Sequence, residues 1–312
     1  MMAPDPPGRK GAPDVRLRLA LRAMSYALVL GGGGTVGVSW EIGVLSALAD
    51  ALGVDPAGAH VKIGTSAGSV VAAMLHRGEG LDDQVEYERH AGASRDDSWA
   101  TSFDIGLLAQ IFQLWTSSPV MSAEVARQIG ERALRASQKR PDEWVAVIRE
   151  RLGDMEWPPG DVRMTTVDCL SGERRIWHAG DGADVVRIVS ASSAVPGLIP
   201  PIDIGGASYM DGGVWSLLNA DLVKGTGVTD VLMLAPQAGA GVLAPGAMED
   251  LKREAAELEG DGFRVHALVP GEGYETIGLN AMDAALRAPA VELGLREGAD
   301  WAKRLTEEGF ET

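Results

Sequence analysis

Cysteine is almost absent from this chain of 312 residues, where Cys169 stands alone. One thiol forms no internal disulfide, so the usual mark of an oxidising compartment is missing and a cytoplasmic location is expected. Cys169 sits in a strand-like run with no sequence signal of activation and reads as a buried structural thiol. Histidine is scarce too, at five residues, and neither a metal nor another cofactor is expected. Positive charge is in deficit: 28 Lys and Arg against 44 Asp and Glu leave a net charge of −16. Phosphate binding requires clustered cations, so nucleic acid is excluded as a partner and adsorption onto anionic membranes is opposed. Half of that net charge falls from residue 241 onward, where 15 acidic residues outnumber 7 basic ones, and reads as a solvated surface. Long apolar runs are missing near the N-terminus as well. Met24 to Leu30, behind five basic residues, is too short to span a bilayer and enters four glycines instead of a cleavage site.

What remains is close to the globular average, with 46% hydrophobic and 23% charged residues, enough for one large core. The chain reads as a single catalytic domain over 25–312 behind a flexible tail over 1–24, in which Pro4, Pro6, Pro7 and Pro13 oppose regular structure. Ser25 to Leu30 predicts a first core strand, followed by GGGGTVG at 31–37 and a helix over 39–52 with apolar residues at helical spacing. Val61 to Ile63, a sharp turn and a helix beginning near Ala67 repeat the plan. Two consecutive βα units imply an α/β fold with a parallel sheet covered on both faces. From about 80 to 160 the strand signal gives way to amphipathic helices, including Asp104 to Trp115, which read as a helical cap. Strands return at 162–170 and 173–178 around Ser171-Gly172, and at 201–204 and 207–210 around Gly205-Gly206. Asp230 to Leu234 and Phe263 to Val269 complete the set, with helices between and after them.

The turn after the second strand carries Gly64-Thr65-Ser66-Ala67-Gly68, one serine between two glycines at a strand-to-helix junction. Such a turn needs residues without bulk beside it, so that the hydroxyl stands clear and the helix N-terminus favours developing negative charge. With 40 Gly and 18 Ser in the chain, GxSxG arises by chance roughly 0.3 times, so its meaning depends on the surrounding segments. A serine hydroxyl also needs a base and a stabiliser for the oxyanion that its attack creates. The glycine run at 31–34, with Gly37, offers unobstructed backbone N–H groups at the same carboxyl edge of the sheet. His266 is the best placed of the histidines, but it lies inside the alternating strand FRVHALV instead of a loop beyond one. Asp211 ends a strand and precedes Gly212 and Gly213, which leave its carboxylate accessible. Partial burial would raise its proton affinity enough for it to act directly on serine.

In chain order the glycine loop, GTSAG, ASSAVPGLIPP at 191–201 and Asp211-Gly212-Gly213 resemble the four signature blocks of the patatin-like phospholipases, over roughly 26–225. The resemblance implies a three-layer α/β/α sandwich with a mainly parallel central sheet, the cap at 80–160 as an insertion, and further strands and helices at 226–312. It implies hydrolysis of lipid acyl esters without histidine or metal, with Ser66 as nucleophile, Asp211 as base and an oxyanion hole from Gly32, Gly33 and Gly34. The partners implied are a lipid or acyl-ester substrate and transient contact with a lipid surface, and no nucleotide. One position departs from the pattern. The family's loop usually reads GGGxRG or GGGxKG, and Val36 stands here in the basic position. Its missing charge makes a preference for phospholipid less secure than ester hydrolysis itself and opens neutral lipids, lysolipids or short acyl esters as substrates.

Three other readings fit parts of the sequence. A dinucleotide-binding protein would share the glycine loop, with Gly32, Gly34 and Gly37 on its fingerprint, but needs an acid at the tip of the second strand, where Gly64-Thr65-Ser66 stands. An α/β-hydrolase esterase would use a Ser-His-Asp triad with His266. A catalytically silent protein of the same fold is the third.

Overall fold

The computed structural model describes residues 25–90, 104–117, 120–136, 140–308 and 310. The tail expected over 1–24 lies outside them. Strand β1 (Tyr26–Leu30) leads through the glycine loop into α1 (Gly34–Leu52), and β2 (Val61–Gly64) leads into α2 (Ala67–Met74). Four helices follow: α3 (Leu81–His90), α4 (Ile105–Trp115), α5 (Ala123–Ala136) and α6 (Pro141–Leu152). Then come β3 (Asp161–Asp168), β4 (Arg174–Trp177), α7 (Val185–Ser192), β5 (Ile202–Ile204) and β6 (Ala207–Asp211). The chain closes with β7 (Asp230–Leu234), α8 (Ala244–Gly260), β8 (Arg264–Leu268), the short α9 (Tyr274–Ile277) and α10 (Arg287–Glu307).

Among the described residues eight strands form one mixed sheet, linked by hydrogen bonding in the succession β5-β6-β3-β2-β1-β7-β8, with β4 also on β3. The run from β3 to β8 is parallel, while β4, β5 and β6 pair antiparallel. Parallel strands need crossover helices on both faces, and the alternation of side chains along β1 reflects this. Leu28 and Leu30 join a core with α1, α2, α7 and α10, whereas Ala27 and Val29 join a second core with the 217–223 segment and α8. The helices of the 80–160 insertion distribute over the molecule. Helix α3 packs on α1 and α10, α6 packs on α7, and α4 with α5 builds a third apolar cluster against Val167 and Met210.

Strand β3 organises the centre. Met164 pairs with both Gly64 of β2 and Trp177 of β4, so these strands take opposite edges of β3. Thr166 pairs with both Arg175 of β4 and Asp211 of β6, so β6 lies opposite β4 as well. Strands β2 and β6 therefore lie end to end along the same edge. The last residue of β2 and the last residue of β6 come within two positions of each other on β3, which brings together two segments 145 residues apart in sequence.

Candidate active site

Ser66 occupies the turn between β2 and α2 with φ 55° and ψ −117°, a conformation that strains any residue with a side chain. Hydrogen bonds from three directions hold it. Its N–H donates to Ser192 Oγ at 3.0 Å, its carbonyl accepts from Ser69 Oγ at 2.7 Å, and its Oγ donates to Asp211 Oδ2 at 2.7 Å. The flanking glycines clear the backbone rather than the hydroxyl. A Cβ on Gly68 would lie 2.0 Å from the Leu30 carbonyl oxygen, and one on Gly64 would lie 2.7 Å from Ser69 Cα, so a side chain at either position forces α2 away from the sheet.

Asp211 terminates β6 and is 2% exposed. Its Oδ2 accepts from Ser66, its Oδ1 accepts from the Gly213 N–H at 2.7 Å, and its own N–H donates to the Ala194 carbonyl at 3.0 Å. Burial raises the carboxyl pKa to about 7, outweighing the two hydrogen bonds that favour the charged form. A base with that proton affinity is suited to accept a proton from an alcohol and return it near neutral pH. Gly212 seats the strand end: a Cβ there would lie 2.3 Å from Thr165 Oγ1.

The three glycines expected to supply the oxyanion donors are not equivalent. Gly32 lies beside the nucleophile, where an added Cβ would sit 3.5 Å from Ser66 Cβ. Its N–H, however, donates to the Leu217 carbonyl at 2.9 Å, which corrects the expectation that its amide is available. Gly33 and Gly34 donate to no acceptor among the described residues. They sit at the N-terminus of α1, whose dipole favours negative charge, and Gly34 takes φ 61°. Gly37, one turn on, donates to the Gly33 carbonyl at 2.8 Å. Val36 is fully buried and faces away from solvent.

Several supporting residues were not among those singled out from sequence. Ser192 fixes the strained amide of Ser66, and Ala194 fixes Asp211, which gives the ASSAVPGLIPP segment a role as the clamp of both residues. Glu41 Oε1 accepts from the Gly31 N–H at 2.9 Å. Burial pushes the Glu41 carboxyl well above the usual range, and its hydrogen bond braces the glycine loop. Glu254, its pKa raised by burial to about 7, accepts from the Ala220 N–H at 2.8 Å and holds the segment that carries Leu217. The visible signal for Glu41 is one acid inside the apolar run SWEIGVL, and for Ser192 its place in the ASSAVPGLIPP block; Glu254 gives none.

His266 lies on β8, with Nδ1 3.1 Å from Glu308 Oε2 and Nε2 3.8 Å from Asp230 Oδ1. Among the described residues Asp211 bonds to Ser66, Gly213 and Ala194 and to no histidine. Cys169 is buried, and burial pushes its thiol up, away from the reactive thiolate. No group of three or more His, Cys, Asp and Glu arranged for a metal ion occurs among the described residues.

Two cavities meet at Ser66. The narrower, about 70 Å³, runs between α2, α6 and the 193–195 segment, with Val70, Trp144, Ile148 and Val195 on its walls. The wider, about 180 Å³, contains Gly33, Gly34 and Asp211 and is walled by Phe112, Trp115, Leu217 and Leu279.

Residues 28–223 match the family model described as patatin-like phospholipase. A search of curated proteins finds no match. Among solved structures, VipD from Legionella pneumophila is 14% identical, with a TM-score of 0.44 over 90% of this chain and 67% of its own. Human GIVD cytosolic phospholipase A2, in complex with methyl gamma-linolenyl fluorophosphonate, is 12% identical, with a TM-score of 0.44 over 92% of this chain and 61% of its own. The type III effector protein ExoU is 16% identical, with a TM-score of 0.37 over 89% of this chain and 53% of its own. The chain thus spans from 53% to 67% of the length of these structures, and the likeness concerns architecture alone.

Proposed function

We propose, on the premise that the chain belongs to the patatin-like phospholipase family, that it is a serine acyl hydrolase cleaving lipid acyl esters with Ser66 and Asp211 as a dyad. The observation that carries this reading is the 2.7 Å hydrogen bond from Ser66 Oγ to a buried carboxylate with a pKa near 7. In the first half-reaction the Ser66 Oγ–H proton passes to Asp211 Oδ2 as Oγ bonds to the ester carbonyl carbon. The carbonyl π electrons move to oxygen, and the N–H groups of Gly33 and Gly34 receive that oxyanion. Collapse breaks the bond to the alcohol, whose oxygen takes the proton from Asp211 and leaves an acyl-serine. Water enters where the alcohol stood, gives a proton to Asp211 as its oxygen bonds to the acyl carbon, and Ser66 leaves with that proton.

The alcohol side of the site carries no positive charge among the described residues. No Lys, Arg or His is among the described residues that line the wider cavity, and Val36 stands in the family's basic position. Neutral lipids, lysolipids or simple acyl esters suit such a site better than recognition through an anionic head group. Val242 and Leu279, 70% and 72% exposed, rim the same cavity and support transient seating on a lipid surface. A fluorophosphonate probe tests the nucleophile: labelling and ester hydrolysis are expected in the native protein and absent in Ser66→Ala. Labelling that persists in Ser66→Ala refutes the assignment.

A further inference from the structure

Granting the Ser66–Asp211 reading, the geometry points to a short acyl slot closed by a buried ion cluster, so that the enzyme selects acyl chains of about four to eight carbons. Both cavities contain Ser66, but Asp211 lines only the wider one. The leaving oxygen must take its proton from Asp211, so the alcohol lies in the wider cavity. The acyl chain, on the other side of the carbonyl carbon, is directed into the narrower cavity, whose walls are Val70, Trp144, Ile148 and Val195.

Arg151 and Arg287 also line that cavity; they are 7% and 1% exposed and both bind the fully buried Glu88. Arg287 Nε and one terminal nitrogen reach the two Glu88 oxygens at 2.8 and 3.0 Å, and Ser39 Oγ donates to the same carboxylate. The guanidinium groups hold Glu88 below the usual carboxylate range against burial, so the cluster is ionised. Alkyl carbons gain nothing by advancing into it, because displacing a partner leaves a buried charge uncompensated.

Helix geometry sets an upper limit on the depth. Arg151 Nε lies 3.3 Å from the sulfur of Met74, the last residue of α2. Met74 is eight residues beyond Ser66, a rise of about 12 Å at 1.5 Å per residue. Carbon–carbon bonds of about 1.5 Å in a tetrahedral zigzag advance roughly 1.25 Å each, so about nine or ten of them span that distance. The volume is more restrictive. At about 70 Å³ the slot is half the size of the roughly 150 Å³ cavity that admits a benzene ring, so the longer chains in this range require its walls to yield.

The experiment is a series of p-nitrophenyl esters from acetyl to palmitoyl, assayed below their micelle concentrations, on the native protein and Val147→Phe. Val147 lines the slot and is partly exposed, so the larger ring fills the slot without replacing a core residue. In the native protein kcat/KM is expected to rise about threefold to fourfold per methylene up to hexanoyl or octanoyl, the gain for burying one CH₂. It should then fall at least tenfold by dodecanoyl. In Val147→Phe the ratio of octanoyl to acetyl activity should drop at least tenfold. Labelling of the native protein by butyl, octyl and hexadecyl fluorophosphonates gives the same ordering without a variant. An optimum at fourteen carbons or more, or an unchanged ratio in a folded and active Val147→Phe, overturns the inference while leaving the dyad standing. Hydrolysis of no ester by the folded native protein overturns the acyl-hydrolase reading and this inference with it.

Discussion

Replacing Asp211 by Asn should remove activity and stabilise the protein, and the stabilisation should grow with pH. The carboxyl titrates at about 7 in the folded chain against 3.8 for an ordinary aspartate. Between these values the folded state holds a proton that the unfolded chain has released, so native stability falls as pH rises. At 1.36 kcal/mol per pKa unit the penalty is about 1.5 kcal/mol at pH 5 and about 4 kcal/mol at pH 8. Asparagine keeps the shape and one acceptor oxygen for the Gly213 N–H but has no ionised form to desolvate. Glu41 and Glu254 are also pushed upward by burial, but they are common to both proteins and cancel in the difference. The advantage of Asp211→Asn should therefore widen by about 2–3 kcal/mol from pH 5 to pH 8. At roughly 2 °C per kcal/mol for a domain of this size, the Tm gap widens by about 5 °C. Thermal melts followed by circular dichroism at half-unit pH steps measure this, and kcat/KM in the same buffers should be lower by at least about 100-fold. A gap that stays constant across pH 5–8 would refute a strongly shifted, buried Asp211.

Two further outcomes follow from the same site. With a neutral ester, native kcat/KM should rise about tenfold per pH unit below 7 and level off above it, as ionised Asp211 becomes available; a profile flat from pH 5 to 8 removes Asp211 as base. His266→Ala should keep kcat/KM within twofold, because His266 contacts Asp230 and Glu308 and not the site; a loss of 100-fold or more in a folded variant would restore a histidine triad.

The sequence pattern anticipated those parts of the molecule that are local. Asp230 to Leu234 reads as a strand and has the bounds of β7, and Gly205-Gly206 forms the turn between β5 and β6 with φ 60° and 88°, where side chains are disfavoured. The second helix of the pattern starts where the Ser66 turn puts it, because that turn is built from its own neighbours. Helix α1 begins at Gly34, five residues before the apolar spacing at Ser39, because the end of the glycine loop winds into its first turn where propensity alone disfavours a helix. Helix α7, only eight residues long, is too short for periodicity to separate from a strand. The partners of the site were hidden for a different reason. Ser192 stands 126 residues from Ser66, and Leu217, which takes the Gly32 amide, is more remote still from its partner, so no spacing in the chain reports either contact. Glu41 stands inside an apolar run, and it becomes an interior acid only through packing on all sides of its helix.

The end-to-end placement of β2 and β6 on β3 has a consequence for how this fold can vary. Ser66 and Asp211 are each located by their register on a common template strand, Gly64 opposite Met164 and Asp211 opposite Thr166. Of the 144 residues between them, those outside β3 and the clamp of Ser192 and Ala194 need only return the chain to that template. Loops and helices there can lengthen, shorten or be exchanged to reshape what the protein accepts, without disturbing the encounter of hydroxyl and carboxylate. Deleting a single residue within β3 is another matter: the alternation of the strand would send the aspartate to the opposite face and separate the pair in an otherwise intact sheet.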